Sequence, residues 1–169
     1  MLIGKSRNAA RERCQHLLEI HRGILFKVAN LYCRDVEDRR DLVQEIGAQA
    51  WKSFPNYDGI RPFPTWLYRV ALNVAISYAR GQARRPAFAL DDLDVEPAAD
   101  AEAQRENDDG VRLLYRCIDR LDPLDRALML LYLDERSQRE IAEILGLSET
   151  NVATKIGRLK GRLRNEFGA

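Results

Sequence analysis

With 169 residues, of which 46% are hydrophobic and 31% charged, the chain is large enough for one ordinary domain or two small ones and too apolar to be a disordered protein. No apolar run approaches the roughly 20 residues of a membrane span, and the N-terminal residues lack the apolar core of a signal peptide, so we expect an unprocessed cytoplasmic protein. The net charge of +1 is the sum of three blocks of different charge. Residues 1–88 carry 15 Lys/Arg and 8 Asp/Glu, residues 89–110 carry 1 and 9, and residues 111–169 carry 11 and 9. This uneven distribution of charge indicates an interaction surface.

Helical periodicity dominates both basic blocks, and no sustained alternation of apolar and polar residues predicts a strand. We therefore predict an all-α protein of two small helical domains, at residues 1–86 and 111–169. The stretch 87–110 between them is rich in Ala, Asp and Glu and has little apolar periodicity. Because clustered like charges resist compaction, we predict that it is a flexible acidic linker.

The first domain is predicted to contain three or four helices. Residues 16–33 supply apolar side chains for one or two of them, and another runs from about Glu37 to Phe54, with Asp35 or a neighbour at its start. Pro, Asn, Asp and Gly residues predict a loop at 55–64, from which the last helix begins. The buried stripe predicted for that helix consists of Phe63, Trp66, Leu67, Val70, Ala71, Val74 and Tyr78.

The second domain begins with an apolar segment at 111–121. Three predicted N-caps divide the rest into helices: Asp122 before Pro123, Ser137 with Glu140 completing a capping box, and Ser148. Gly146 ends the middle helix, and helix, short glycine turn and helix together match the helix-turn-helix signature. The last helix is predicted to bury Val152, Ile156, Leu159, Leu163 and Phe167.

This last helix carries the clearest functional signal, because a DNA recognition helix needs a polar start for base edges and basic residues for phosphates. The short polar residues are Ser148, Thr150, Asn151 and Thr154, and the basic residues are Lys155, Arg158, Lys160, Arg162 and Arg164. A basic helix alone is as well explained by a solvated surface. The capped helix and glycine turn directly before it favour DNA binding.

A second polar stripe follows the loop at helical spacing: Arg69, Asn73, Ser77, Arg80 and Arg84. Aromatic residues flank it: Phe54, Tyr57, Phe63, Trp66 and Tyr68. Basic groups beside aromatic rings suit single-stranded DNA, whose bases stack and whose phosphates need neutralising. Core packing is the favoured interpretation for Phe63 and Trp66, which belong to the predicted buried stripe, so Tyr57, in the loop, is the better candidate for contacting a base.

The helix before the loop presents Asp41, Gln44 and Glu45 on one side, which by itself is an ordinary solvated face. We find no Gly-rich phosphate loop and no Ser/His/Asp set, and we predict no enzyme activity, no metal and no cofactor. The residues considered as metal ligands and set aside are Cys14, His16 and His21, whose histidines do not share a helix face, and the linker acids Asp91, Asp92 and Asp94. Cys33 and Cys117, like Cys14, belong to no CxxC pair, which favours reduced thiols over a disulfide framework.

The whole pattern resembles bacterial RNA polymerase sigma factors of the extracytoplasmic-function (ECF) group. The strings that carry the resemblance are DLVQEIGAQAWKSF (41–54), FPTWLYRVALNVAISYAR (63–80) and LDPLDRALMLLYLDERSQREIAEILGLSETNVATKIGRLKGRLR (121–164). They cover both predicted domains in the order of the family, with the acidic linker between them.

The resemblance implies a promoter-specificity subunit. The first domain resembles region 2, which binds the polymerase clamp, here through Asp41, Gln44 and Glu45, and opens DNA at the −10 element. Loop 55–64, with Tyr57, matches the segment that holds a flipped-out base, and the helix after it turns its polar stripe to the DNA. The second domain resembles region 4, which contacts the polymerase flap. Its last helix recognises the −35 element, here through Ser148, Thr150, Asn151, Thr154, Lys155, Arg158 and Arg162. The family also implies a linker that follows the RNA-exit path and an anti-sigma partner that masks both domains.

Two other functional classes stay open on the residues alone. One is a stand-alone helix-turn-helix regulator, and the other is an enzyme acting on DNA, such as a nuclease. The linker suits a promoter-specificity subunit better than either of these classes, since its 24 residues (87–110) reach roughly 80 Å when extended. Two turns of DNA span about 70 Å, so both domains can reach one face of a promoter.

Overall fold

The computed structural model describes residues 2–83 and 108–167, with side chains over 8–82 and 113–166. Within these ranges all regular structure is helical, as the all-α prediction requires. The chain divides into two compact units, the first made by residues up to Gly81 and the second by most of residues 82–169. The predicted linker lies outside the described residues, except for its last three, 108–110, which begin a helix.

Eight α-helices and one 3-10 turn form the described chain. In the first unit they are α1 (Leu2–Ile20), α2 (Arg22–Tyr32), α3 (Val36–Ser53), the 3-10 turn Phe54–Asn56 and α4 (Phe63–Ala83). In the second unit they are α5 (Asp108–Asp119), α6 (Pro123–Leu133), α7 (Gln138–Leu145) and α8 (Glu149–Phe167).

In the first unit, α2 packs against α3, and α1 contacts both of these helices. Helix α4 follows the loop. Asp35 caps α3, because its Oδ1 accepts hydrogen bonds from the backbone N–H groups of Glu37 at 2.9 Å and Asp38 at 3.0 Å. The helix therefore begins at Val36, one residue before the predicted start. Small and branched side chains fill the core of this unit: Val28, Ala29, Leu42, Ile46, Ala50, Leu67 and Ala71.

Helix α4 buries a face that overlaps the predicted one only in part, since Phe63, Leu67 and Ala71 are buried as predicted. Its fully buried residues are Leu67, Tyr68, Ala71, Leu72, Ala75 and Ile76, together with Phe63 and Thr65 near its start. Trp66, Val70, Val74 and Tyr78, predicted to be core, are only half-buried. The apolar residues of α4 extend more than halfway around the helix. The fold buries the part of this apolar surface that is centred about one residue, or about 100° around the helix, from the predicted stripe. Tyr68 therefore belongs to the core and not to the aromatic surface beside the loop.

The second unit follows the predicted capping signals closely. Asp122 Oδ1 accepts from the N–H groups of Leu124 and Asp125 at 3.0 Å, with Pro123 opening α6. Ser137 and Glu140 form the capping box of α7: the Glu140 N–H donates to Ser137 Oγ at 3.2 Å, and the Ser137 N–H donates to Glu140 Oε2 at 3.1 Å.

Helix α7 ends at a glycine, as predicted. Gly146 has a φ of +68°, and the Leu147 N–H donates to the Ala142 carbonyl at 3.0 Å, which is a Schellman ending. The Asn151 N–H then donates to Ser148 Oγ at 3.1 Å and starts α8. Val152, Ile156, Leu159 and Leu163 bury one side of α8, while the side chain of Phe167 lies outside the described residues. These contacts complete a helix-turn-helix made by α7 and α8.

Candidate nucleic-acid interface

Helix α8 presents an exposed polar face opposite its buried side. Six of the seven residues predicted to contact the −35 element are exposed: Ser148, Thr150, Asn151, Thr154, Arg158 and Arg162. The Thr154 hydroxyl donates to the Thr150 carbonyl at 2.9 Å, so its oxygen is left as an acceptor for a base amino group. An exposed Asn at the start of the helix has the amide geometry that pairs with adenine, and the two arginines further along suit phosphates or guanine.

Lys155, the seventh residue, is held differently. Its Nζ lies 3.7 Å from Oδ1 of Asp125 on α6, and both side chains are largely covered. This Asp125 oxygen is buried and accepts no hydrogen bond within the described structure. Burial, with the neighbouring Asp122 carboxylate adding to it, raises the pKa of Asp125. Part of the Lys155 charge is therefore balanced inside the protein, which the spacing of the two residues in sequence could not indicate.

The polar stripe of α4 is exposed over the part of the chain that the structure describes. Arg69, Asn73, Ser77 and Arg80 all face solvent, and Arg84 lies outside the described residues. The half-buried Trp66 stands on the same side, two turns before Asn73 and three turns before Ser77. Its ring therefore borders the polar stripe and combines a stacking surface with neighbouring cations.

An aromatic cluster supports the loop next to this stripe. The Trp66 ring centroid lies 5.3 Å from those of Tyr57 and Phe63 and 6.2 Å from that of Phe54. Phe63 is buried, as predicted, whereas Trp66, also predicted to be core, is half-buried at the edge beside the half-buried Tyr57. The Tyr57 hydroxyl donates to the Arg61 carbonyl at 2.6 Å, so this tyrosine both holds the loop and offers part of its ring.

The α3 face predicted to bind polymerase is exposed at Asp41, Gln44 and Glu45. Trp51, to which the sequence pattern alone assigned no role, stands two turns after Gln44 on the same side and is 42% exposed. A large aromatic side chain at that exposure is a common anchor of protein interfaces. The signal that could have identified it is the seven-residue spacing from Gln44.

The described residues contain no group of three His, Cys, Asp or Glu side chains that could hold a metal ion. All three cysteines are buried, and burial raises the pKa of the Cys14 and Cys33 thiols, which keeps them protonated and unreactive at neutral pH. None of the described helices has the length and apolar character needed to cross a membrane.

Comparison with known proteins gives the same division into two units. The family model for sigma-70 region 2 matches residues 17–85, and that for sigma-70 region 4 matches residues 112–163. The ECF RNA polymerase sigma-E factor of Escherichia coli is 31% identical over 153 residues, covering 83% of this chain and 80% of the relative. The corresponding protein of Haemophilus influenzae is 31% identical over 156 residues, covering 83% and 82%.

A solved structure has the same fold. CnrH, in complex with the cytosolic domain of CnrY, superposes with a TM-score of 0.68 at 25% sequence identity, and the match covers 96% of this chain and 94% of that one.

Proposed function

The chain belongs to the extracytoplasmic-function sigma factors, and we propose that it binds core RNA polymerase, recognises a promoter through two separate surfaces and opens the DNA between them. Its family acts in transcription initiation. The observation that carries the finer proposal is the presence, in one chain, of a capped recognition helix and a separate surface of aromatic and basic residues.

The −35 element is assigned to α8. The short polar residues at its start are exposed where base edges would be reached, and Arg158 and Arg162 follow on the same face. The Ser148 cap supports this assignment because it fixes the start of α8 relative to α7. Lys155 contributes less than its charge suggests, since Asp125 competes with DNA for it.

The −10 element is assigned to loop 55–64 and α4. Extruding one base from a duplex costs a few kcal/mol, which the protein must recover through stacking and phosphate contacts. The half-buried edges of Tyr57 and Trp66 supply aromatic surface, and Arg69, Asn73, Ser77 and Arg80 supply polar and basic groups beside it.

Two surfaces are assigned to RNA polymerase. The exposed α3 face with Asp41, Gln44 and Glu45 binds the polymerase clamp, and the second unit binds the flap. An anti-sigma factor is the second protein partner, supported by the complex of CnrH with the cytosolic domain of CnrY. The acidic linker 87–110 follows the polymerase path that otherwise carries RNA.

In-vitro transcription tests the proposal. Bacterial core polymerase is incubated with a genomic DNA library, with and without the chain, and the transcripts are sequenced. We expect transcripts that start only when the chain is present and that share two upstream elements. Site-specific duplex binding by the chain alone, without new transcripts, would instead identify a stand-alone regulator, and cleavage of plasmid in Mg²⁺ would identify a nuclease.

A further inference from the structure

The tip of loop 55–64 is held in one shape by its own side chains. The Tyr57 hydroxyl donates to the Arg61 carbonyl at 2.6 Å, and Asp58 Oδ1 accepts from the Ile60 N–H at 2.9 Å. Gly59 between them has a φ of +72°, a conformation that an L-residue rarely adopts. Because both ends of the tip are tied, the direction of the Ile60 side chain is set by the loop.

Ile60 is 86% exposed, the highest value among the large apolar side chains of the described residues. An exposed isoleucine in isolation is ordinary, because much of any protein surface is apolar. Here the side chain stands at the tip of a tied loop whose base is the aromatic cluster of Phe54, Tyr57 and Trp66. A protruding aliphatic group on a stiff support has the form of the wedges that unstack base steps in DNA.

A cation accompanies this apolar tip. The guanidinium of Arg13, an exposed residue of α1, lies against Gly59, where a β-carbon would stand 3.9 Å from its Nη2. Residues 2–13 of α1 carry Lys5, Arg7, Arg11 and Arg13 against Glu12 alone. An aliphatic tip with an arginine beside it suits a DNA step, whose base edges are apolar and whose flanking phosphate is anionic.

We infer that Ile60 inserts between two bases at the border of the opened −10 segment, and that Arg13 holds the phosphate of the same strand. This inference rests on the proposed function and adds a separate element to it. The flipped base stacks on the aromatic cluster, whereas Ile60 keeps the adjoining step from closing again. The side of α1 that carries Arg13 thereby becomes part of the DNA-binding surface.

The test uses the complete chain in holoenzyme with core polymerase, on a promoter obtained from the transcription experiment. One template is fully duplex and carries 2-aminopurine in the −10 element, and the other contains a pre-opened bubble there. Ile60→Ser is compared with Ile60→Leu, which keeps an aliphatic tip. Ile20→Ser is the matched control, since Ile20 is also exposed, at 59%, but ends α1 and is not part of the loop.

On the duplex, we expect Ile60→Ser to slow the rise of 2-aminopurine fluorescence by about tenfold, the scale of a partly lost unstacking contribution. Ile60→Leu and Ile20→Ser should open the duplex at the wild-type rate. On the bubble template, all variants should initiate within about twofold of the wild type, since no base step remains to be unstacked there. Opening at the wild-type rate by Ile60→Ser would overturn the inference. An equal loss on both templates would also overturn it, because it would indicate a polymerase contact.

Arg13→Gln tests the phosphate contact, with Arg11→Gln as control because Arg11 lies about 200° away around α1. We expect Arg13→Gln to lower the slope of log affinity against log salt by about one unit, and Arg11→Gln to leave it unchanged. Equal slopes in both variants would remove Arg13 from the DNA surface. A wild-type holoenzyme that opens no promoter would overturn the proposed function, and this inference with it.

Discussion

Glu135 and Gly146 end two successive helices in the same left-handed backbone conformation, but only Glu135 carries a side chain. Glu135 ends α6 with a φ of 56°, and the Arg136 N–H donates to the Leu131 carbonyl at 3.0 Å. Gly146 ends α7 in the same way with a φ of 68°. A side chain in this left-handed conformation costs about 1–2 kcal/mol, so Glu135 is strained where Gly146 is not.

We predict that Glu135→Gly stabilises the second unit by about 0.5–1 kcal/mol and that Gly146→Ala destabilises it by about 1 kcal/mol. Both tryptophans lie in the first unit, so their fluorescence does not report on this change. Hydrogen exchange of α6 and α7 amides measures it directly. A loss of protection in Glu135→Gly would mean that the Glu135 side chain makes a contact that outweighs the backbone strain.

The buried carboxyl of Asp125 gives a pH-dependent prediction. Because burial raises its pKa above the ordinary value of 3.8, folded protein retains a proton that unfolded protein has already lost. This residue therefore lowers the stability of the second unit as pH rises from about 3.8 through the raised value. Asp125→Asn removes the effect, so its stability advantage should grow from pH 4 to pH 7, measured by thermal unfolding. An advantage that is the same at every pH would mean that the substitution acts through packing.

At the scale of one helix, Lys155 and Arg158 of α8 differ in the structure, although the sequence predicts the same role for both. We predict that Arg158→Ala weakens promoter binding by about 1–3 kcal/mol, whereas Lys155→Ala costs less than about 1 kcal/mol because Asp125 already holds part of its charge. Holoenzyme affinity for a −35 fragment, measured over several salt concentrations, gives both values. In an Asp125→Asn background the cost of Lys155→Ala should rise, and equal costs in the two backgrounds would show that the pair is irrelevant to DNA binding.

A second prediction at this scale concerns the exposed face of helix α3. Gln44→Ala and Trp51→Ala are expected to lower affinity for core polymerase, because both side chains are exposed on one side of the helix. Gln49→Ala is the matched control, since Gln49 lies about 140° away and donates to Ser53 Oγ at 3.1 Å. Competition for core polymerase measures the affinity, and circular dichroism checks the fold. A loss of helicity in Gln44→Ala would assign the residue a structural role instead.

Local signals were enough to predict most of the helices and their caps. Helix α1 is the exception, because it begins at Leu2 and the predicted helices begin only at residue 16. Asp35, Asp122, Ser137 and Ser148 hydrogen-bond backbone groups two or three residues away, so each cap depends on a short stretch of chain. The exposed polar faces of α3, α4 and α8 follow from helical spacing in the same way.

Other features depend on where distant segments meet, and spacing cannot supply that. Lys155 and Asp125 are thirty positions apart and belong to different helices. The burial of Tyr68 and the half-exposure of Trp66 depend on which part of a wide apolar arc the fold encloses. The approach of Arg13 to Gly59 joins α1 to a loop more than forty residues later, which no local pattern indicates.

For the whole molecule, the central question is what fixes the distance between the two proposed DNA-binding surfaces. The 24 residues between α4 and α5, 84–107, are enough to allow many separations, because a fully extended chain of that length reaches roughly 80 Å and two DNA turns span roughly 70 Å. A flexible tether would only raise the local concentration of the second unit at its site. We expect polymerase to fix the separation instead, because in the proposed function it binds both units.

A linker lengthened by about ten Gly/Ser residues between Ala98 and Ala99 tests this expectation. Promoters with the natural spacer and with spacers about half a DNA turn longer are transcribed by both holoenzymes. We predict that each holoenzyme loses activity on the longer spacer to the same extent, because half a turn rotates one element away from a surface held by polymerase. Recovery of the longer-spacer promoter by the lengthened linker would show that the linker itself sets the separation, and the second unit would then act as a tethered domain and not as part of a rigid assembly.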